Sequence, residues 1–105
     1  MEFIDVRGAS GSTYRFRRWP ERGAHQPMAG NYVLVTRSPQ KLVAVGLLED
    51  LSQAPVVLGE RLKGCDLYTR LNIARRMREA EHEDMAREHP EAAEKGAASG
   101  AERAA

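Results

Sequence analysis

Arginine is the residue type in this chain with the clearest binding chemistry, because its side chain can bind phosphate. The guanidinium group is planar and donates two parallel hydrogen bonds to phosphate oxygens. The candidates for nucleic-acid binding are Arg15, Arg17, Arg75, Arg76 and Arg78. Acidic residues are interleaved with the last three, at Glu79, Glu83 and Asp84. Two interpretations stay open: a surface that binds phosphates, or a solvated face on which the charges neutralise each other.

The other reactive residue types do not form a recognisable site. His25, His82 and His89 lack the spacing of metal ligands, since even the last two would be separated by two helical turns, about 10.5 Å of rise. Neither Ser52 nor Cys65 has a histidine and a carboxylate nearby in a nucleophile motif. A single cysteine cannot form an internal disulfide, which fits a reducing compartment.

Length and composition indicate one small domain. The chain has 105 residues, of which 42% are apolar, enough for one modest core. The formal net charge is +1, yet residues 1–48 carry seven basic and three acidic residues, a local net charge of +4. No apolar run reaches the ~18 residues of a membrane span, and the N-terminus lacks the pattern of a signal peptide. We expect a cytoplasmic protein with no membrane partner, whose first half is basic.

Four runs have the composition of β-strands, and one of them contains Arg15 and Arg17. They cover residues 2–7, 13–19, 32–36 and 42–48. In the second run, alternation places Tyr14 and Phe16 on one face and Arg15 and Arg17 on the other. The short turn at 37–40 makes the last two runs an antiparallel hairpin. We therefore predict three or four antiparallel strands.

The residue pattern in the last third of the domain predicts one long helix. Asp66 is suited to an N-cap, the following residues lack proline and glycine, and Pro90 ends the run near His89. One face of this helix would carry Leu67, Leu71, Ala74, Arg78, Glu81 and Met85.

Two further segments complete the organisation of the chain. Residues 56–62 form either a short strand or one turn of helix. Residues 91–105 are rich in alanine, glutamate and glycine and have little to bury, so we expect a disordered tail after a single domain at residues 1–90.

Three short motifs carry a resemblance to a known family. They are Gly30-Asn31-Tyr32, Ala44-Val45-Gly46 and Asp50-Leu51-Ser52. In order and spacing they resemble the GIY strand, the YIG strand and the turn into the first helix of small bacterial GIY-YIG nuclease-like proteins. The resemblance covers roughly residues 3–93 and includes opening strands with Tyr14 and a helical Glu81 before Pro90. It implies an α+β fold with a small three- to four-stranded antiparallel sheet packed against a long C-terminal helix.

The resemblance also implies roles for individual residues. In that family two tyrosines and an arginine position the scissile phosphodiester, and a helical glutamate holds one Mg²⁺ or Mn²⁺ ion as a Lewis acid. Carried over by position, Tyr32 is the first tyrosine and Glu81 the metal ligand. The second tyrosine is replaced by Ala44 and the arginine by Ala54 or its neighbour Gln53, so the chain resembles a degenerate member.

The departures from the family pattern continue beyond those two positions. Ala92 or Ala93 stands where an asparagine often follows the closing proline, and Arg70 and Arg78 are the candidates to replace the missing arginine. Losing one transition-state donor commonly costs about a hundredfold in rate. We therefore expect little or no nuclease activity and no cofactor, or Mg²⁺ or Mn²⁺ if activity is retained.

Simpler roles compete for the two carried-over residues. Glu81 is either a metal ligand or half of an ion pair with Arg78 three residues earlier on the helix. Tyr32 is either catalytic or part of the lining of a core or cleft.

Three functions follow from the sequence. The first is a catalytically impaired GIY-YIG-like domain that binds nucleic acid, with DNA as a possible partner. The second is a protein-interaction or regulatory module, and the third is a metal-dependent endonuclease.

Overall fold

A computed structural model describes residues 2–19 and 27–94 and has an α+β architecture, which confirms the predicted fold class. The strands are β1 (Phe3–Arg7), β2 (Thr13–Arg18), β3 (Gly30–Arg37), β4 (Gln40–Leu48) and β5 (Cys65–Leu71). They form one antiparallel sheet in the order β1-β2-β5-β3-β4. The helices are α1 (Ala54–Leu58) and α2 (Arg75–Glu88). The predicted count of three or four strands is therefore wrong, because the helix predicted from Asp66 overlaps β5.

Strand β5 occupies the middle of the sheet. Its residues overlap the start of the long helix predicted from the sequence. That helix begins at Arg75, and Asp66 lies in β5, where its carboxylate accepts from Arg18 and Arg37. The residues at 65–71 include Tyr68 and Thr69, whose side chains favour strands. A ladder with β3 and a shorter one with β2 satisfy the backbone of β5 from both sides. This tertiary pairing outweighs the helical periodicity of Leu67 and Leu71.

The sheet has apolar layers on both faces, and β3 between them is buried along nearly its whole length. The layer under α2 contains Val6, Phe16, Val33, Val35, Val45, Tyr68, Met85 and Ala92. The opposite layer, under α1, contains Tyr32, Leu34, Ala44, Leu48, Leu51, Ala54, Leu58 and Leu67. Successive residues of β3 alternate between these two layers. Because the sheet is packed on both sides, the consecutive residues of β3 from Tyr32 to Val35 are all apolar and buried.

The N-terminal hairpin of β1 and β2 is covered on one face only. Tyr14 and Phe16 pack against the layer under α2, as the alternation predicted. Arg15 and Arg17, on the opposite face of β2, are exposed. Phe3, the cross-strand partner of Arg17, is also exposed. The half-buried antiparallel strand expected at residues 13–19 is thus confirmed, and it forms a hairpin with β1.

The turn into the first helix is built from Asp50, Leu51 and Ser52. The Asp50 carboxylate accepts hydrogen bonds from the Ser52 amide at 3.0 Å and from its hydroxyl at 2.6 Å. This capping stabilises a 3-10 turn at Leu51–Gln53, and α1 follows with Pro55 in its first turn. A second 3-10 turn at Gly59–Leu62 leads to β5. The ambiguous segment at 56–62 is therefore helical.

Residues 91–94, assigned by sequence to the start of the tail, lie against β4, and we call them the C-terminal strap. The Val45 amide donates to the Ala92 carbonyl, and the Glu94 amide donates to the Val45 carbonyl, each at 2.8 Å. Ala93 is bridged to Val45 in parallel, and Ala92 is buried. The rest of the expected tail, residues 95–105, lies outside the described residues. Within the described part of the chain, no helix is long and apolar enough to cross a membrane.

We predict that Gly46→Ala destabilises the fold. Gly46 pairs with Tyr32 across β3 and β4, and an added methyl group would overlap the ring and hydroxyl of that tyrosine. Overpacking of this kind typically costs about 1–3 kcal/mol. Urea denaturation of Gly46→Ala, Tyr32→Ala and the double variant gives the coupling energy. Strict additivity of the two effects would contradict the proposed overlap.

Candidate functional site

The GIY-YIG-like positions are filled by apolar packing under α1. Tyr32 is 1% exposed, and both Ala44 and Ala54 are completely buried in the same layer. The resemblance implies a tyrosine and an arginine at these two alanines. In the structure, α1 packs its Ala54 and Leu58 into this apolar layer of the sheet.

An ion pair that sequence reasoning missed lies near Tyr32. Arg61 donates to both carboxylate oxygens of Glu94, at 2.8 and 2.5 Å. Burial raises the pKa of Tyr32 to about 12, with a further contribution from Glu94 that Arg61 opposes. Tyr32 therefore keeps its proton at neutral pH and is not a base. Because Arg61 and Glu94 are 33 residues apart and outside the motifs, the sequence carried no signal for this pair.

Glu81 lies on the other face of the sheet and is held by polar side chains. Its Oε1 atom accepts from Arg70 Nε and from Asn72 Nδ2, both at 2.9 Å. The ion-pair interpretation of Glu81 thus has a partner in the structure, but the partner is Arg70 on β5. Asn72 also donates to Asn31 on β3, so the contacts continue into the sheet.

Arg78 has a different position from the one its sequence suggested. Its guanidinium is buried and donates to the carbonyls of Asn72 and Ile73, at 3.1 and 2.8 Å. These bonds satisfy the connection between β5 and α2. Arg78 is therefore a fixed part of the fold rather than an exposed phosphate contact.

Tyr32 and Glu81 do not share a cleft. Tyr32 packs in the layer under α1, whereas Glu81 contacts the residues under α2, with the sheet between them. Neighbouring Asn31 shows the alternation, since its amide donates to the Arg78 carbonyl on the α2 side. Across residues 2–19 and 27–94, no three histidine, cysteine or acidic side chains are grouped so as to hold a metal ion.

A second polar group joins α2 to the turn between β1 and β2. Asp84 accepts from the Ser10 amide at 2.8 Å, from the Ser10 hydroxyl at 2.6 Å and from the Tyr14 hydroxyl at 2.7 Å. Hydrogen bonds from Ser10 and Tyr14 lower the pKa of Asp84, and the bond to Asp84 raises the pKa of Tyr14. Arg70 lies over the Tyr14 ring at 5.5 Å. These contacts join the hairpin, β5 and α2 into one polar cluster.

The arginines predicted to bind phosphate fall into separate regions. Arg15 and Arg17 are exposed on the face of β2 that α2 does not cover, paired with Asp5 at 3.0 Å and Glu2 at 3.4 Å. Arg75 is exposed on α2 and pairs with Glu79, and Arg76 is exposed beside it. The structure therefore does not combine the strand and helix arginines into one surface.

The uncovered face of the N-terminal hairpin carries two exposed arginines beside an aromatic side chain, and each arginine is paired with a carboxylate. We define the open sheet face as Phe3, Asp5, Arg15 and Arg17. Phe3 is 44% exposed, and the Arg15 guanidinium lies 5.6 Å from the centre of its ring. No described element packs on this face. The open sheet face therefore presents two guanidinium groups and the exposed part of the Phe3 ring to solvent.

We predict that Glu81→Ala destabilises the protein and that Mg²⁺ or Mn²⁺ leaves the wild-type unfolding temperature unchanged. The substitution would leave Arg70 and Asn72 without their acceptor in a partly buried site, at a cost of about 1–3 kcal/mol. Glu79→Ala is the matched control, because its exposed pair with Arg75 is worth at most about 0.5 kcal/mol. Thermal melts with and without metal measure both effects. A metal-dependent rise that Glu81→Ala removes would restore the metal-ligand hypothesis.

The chain matches no protein-family model, no curated protein and no solved structure.

Proposed function

We propose that this chain is a catalytically impaired GIY-YIG-like domain that binds nucleic acid through the open sheet face. The observation that carries the proposal is the exposed pair Arg15 and Arg17 beside the half-exposed ring of Phe3. Arginine binds phosphate as a planar donor, and an aromatic ring can stack on a base. A cytoplasmic location is part of the same proposal.

The carboxylates on this face leave the arginines able to exchange partners. The side chains of Arg15 and Arg17 are 66% and 72% exposed, and their partners Asp5 and Glu2 are also largely exposed. Exposed ion pairs contribute only about 0–1 kcal/mol. A phosphate can therefore replace a carboxylate at little cost. Release of counterions from the nucleic acid adds a favourable term that a surface carboxylate does not supply.

Single-stranded nucleic acid suits the open sheet face better than a nucleic-acid duplex. Phe3 is the cross-strand partner of Arg17. Arg15, two residues before Arg17 on β2, packs its guanidinium over the Phe3 ring. A splayed base can stack on the ring or on the guanidinium plane, which a base inside a duplex cannot do. We therefore expect single-stranded DNA or RNA to bind more tightly than duplex.

The nuclease alternative has weaker support. It needs Tyr32 and Glu81 around one phosphate, and these residues lie on opposite faces of the sheet. Both oxygens of the Glu81 carboxylate already face Arg70. We therefore propose binding without cleavage, so that nucleic acid incubated with Mg²⁺ remains intact on a denaturing gel.

We predict that Arg15→Gln combined with Arg17→Gln weakens binding of labelled single-stranded DNA. The change removes two phosphate contacts, so the slope of log affinity against log salt should fall by about one to two. Fluorescence anisotropy at low and near-physiological salt measures both quantities. Arg75→Gln with Arg87→Gln is the control, since it removes the same charge from two exposed pairs on α2. An equal loss in both double variants would refute a specific role for the open sheet face.

A protein-interaction module is the second candidate, and a separate observation favours it. Leu71, Ile73 and Met77 are exposed by 52%, 62% and 54% where β5 leads into α2. Apolar side chains close together on a surface are common in the centre of protein interfaces. Ile73 and Met77 follow β5 and are not part of the open sheet face, so different mutations test the two candidates.

We predict that Ile73→Ser with Met77→Ser abolishes capture of a protein partner while leaving nucleic-acid affinity unchanged. Losing two apolar anchors removes most of what such a contact could bury. Val56→Ser with Val57→Ser is the control, because it removes two exposed apolar side chains from α1. Pull-downs with quantitative mass spectrometry compare the variants. A partner retained equally by both double variants would exclude this group as the contact.

A further inference from the structure

The C-terminal strap caps an edge of the sheet. Strand β4 is at the end of the strand order, so its outer backbone groups have no neighbouring strand. Val45 uses its amide and its carbonyl to bind the strap, and Ala92 is buried in the layer under α2. An unpaired edge strand is a template for pairing with another chain. Residues 91–94 therefore occupy a position that an added strand would otherwise take.

Two side chains hold the end of the strap, and they act on different groups of Glu94. Arg61 binds the carboxylate, as described above. His82 of α2 binds the backbone carbonyl, with its Nε2 atom 2.9 Å from the oxygen. Because a carbonyl only accepts, Nε2 carries the proton in this bond.

The other ring nitrogen of His82 makes protonation costly. His82 is buried, and its Nδ1 atom has no hydrogen-bond partner among the described residues. In the neutral tautomer Nδ1 is an acceptor, whereas in the imidazolium it becomes a second donor. A buried charged donor without an acceptor is strongly disfavoured.

The charges around His82 oppose this effect but do not cancel it. Glu94 of the strap and Glu83 of α2 both favour the charged ring, and Glu94 is itself neutralised in part by Arg61. Arg78, one turn earlier on α2, donates its guanidinium to the carbonyls of Asn72 and Ile73. Burial outweighs the acidic groups and lowers the pKa of His82 below its ordinary value of 6.5.

We propose that the C-terminal strap is a pH-sensitive cover of the β4 edge, closed while His82 is neutral and released when His82 is protonated. The neutral ring bonds the Glu94 carbonyl, and the protonated ring gains hydration only when the strap leaves. Release turns a capped edge into one that can pair with an extended segment. The stabilisation of the closed state is complete above pH 6.5, decreases below it and is lost once pH falls through the lower pKa of the closed state.

Amide hydrogen exchange on the full chain tests the proposal, because the Val45 and Glu94 amides report on the strap bonds. Their protection, corrected for intrinsic exchange, should fall between roughly pH 7.5 and roughly pH 5, by about tenfold for each unit of lowered pKa. Amides in the β3–β5 ladder are the internal reference and should keep their protection. Unchanged protection of Val45 and Glu94 across this range would overturn the proposal.

Two variants separate His82 from other titrating groups. His82→Gln keeps a donor for the Glu94 carbonyl and cannot be protonated, so the pH dependence should disappear. His89→Gln is the matched control, since His89 follows the same helix and bonds the Arg7 carbonyl at 3.0 Å. It should retain the pH dependence of the wild type. The same pH dependence in His82→Gln as in the wild type would overturn the proposal.

The wild-type protein alone provides a test that does not depend on variant folding. An NMR titration should give one shared midpoint for the His82 ring and for the Val45 and Glu94 amides. Independent midpoints would show that protonation and release are uncoupled.

Discussion

The two ladders of β5 join parts of the chain that are otherwise separate hairpins. The β1–β2 hairpin and the β3–β4 hairpin make no mutual strand pairing, and β5 lies between them with bonds to both. Tyr68 faces the layer under α2 and Leu67 the layer under α1, so one strand also contributes to both apolar layers. Without β5 the chain would have two small hairpins, each too small to be stable alone.

Helix α2 is attached to this sheet mainly through polar contacts. Its buried residues are Arg78, Glu81, His82 and Met85, of which only Met85 is apolar. Each contacts a different part of the chain: the connection after β5, the polar residues of β5, the strap, and the core. A buried polar group is costly unless it is satisfied, so these contacts fix the position of the helix more narrowly than apolar packing would. The same geometry places Tyr32 and Glu81 on opposite faces of the sheet, so their side chains do not meet at one site.

Sequence patterns predicted much of the fold where local preference and tertiary environment agree. The period-two alternation of Tyr14 and Phe16 against Arg15 and Arg17 identified β2 and its two faces, because that strand is covered on one side only. The resemblance implied a turn into a helix at Asp50-Leu51-Ser52, and the structure has one there, held by local capping bonds. Residues 66–71 were assigned incorrectly, because Leu67 and Leu71 fit a helical period while only pairing with β2 and β3 selects a strand. Arg70 was consequently placed on a helix, although it reaches Glu81 from β5.

The amino-acid sequence by itself determined the α+β class, most of the strand runs of β1 to β4 and the basic first half. These properties depend on residue type and on spacings of a few residues. The tertiary structure alone decided that Arg70 pairs with Glu81, that Arg61 pairs with Glu94, and that Tyr32 and Glu81 face opposite sides of the sheet. It also decided which arginines remain exposed on one surface and that His82 holds the C-terminal strap. Such contacts join residues from different elements, and their geometry depends on strand order, which no local pattern records.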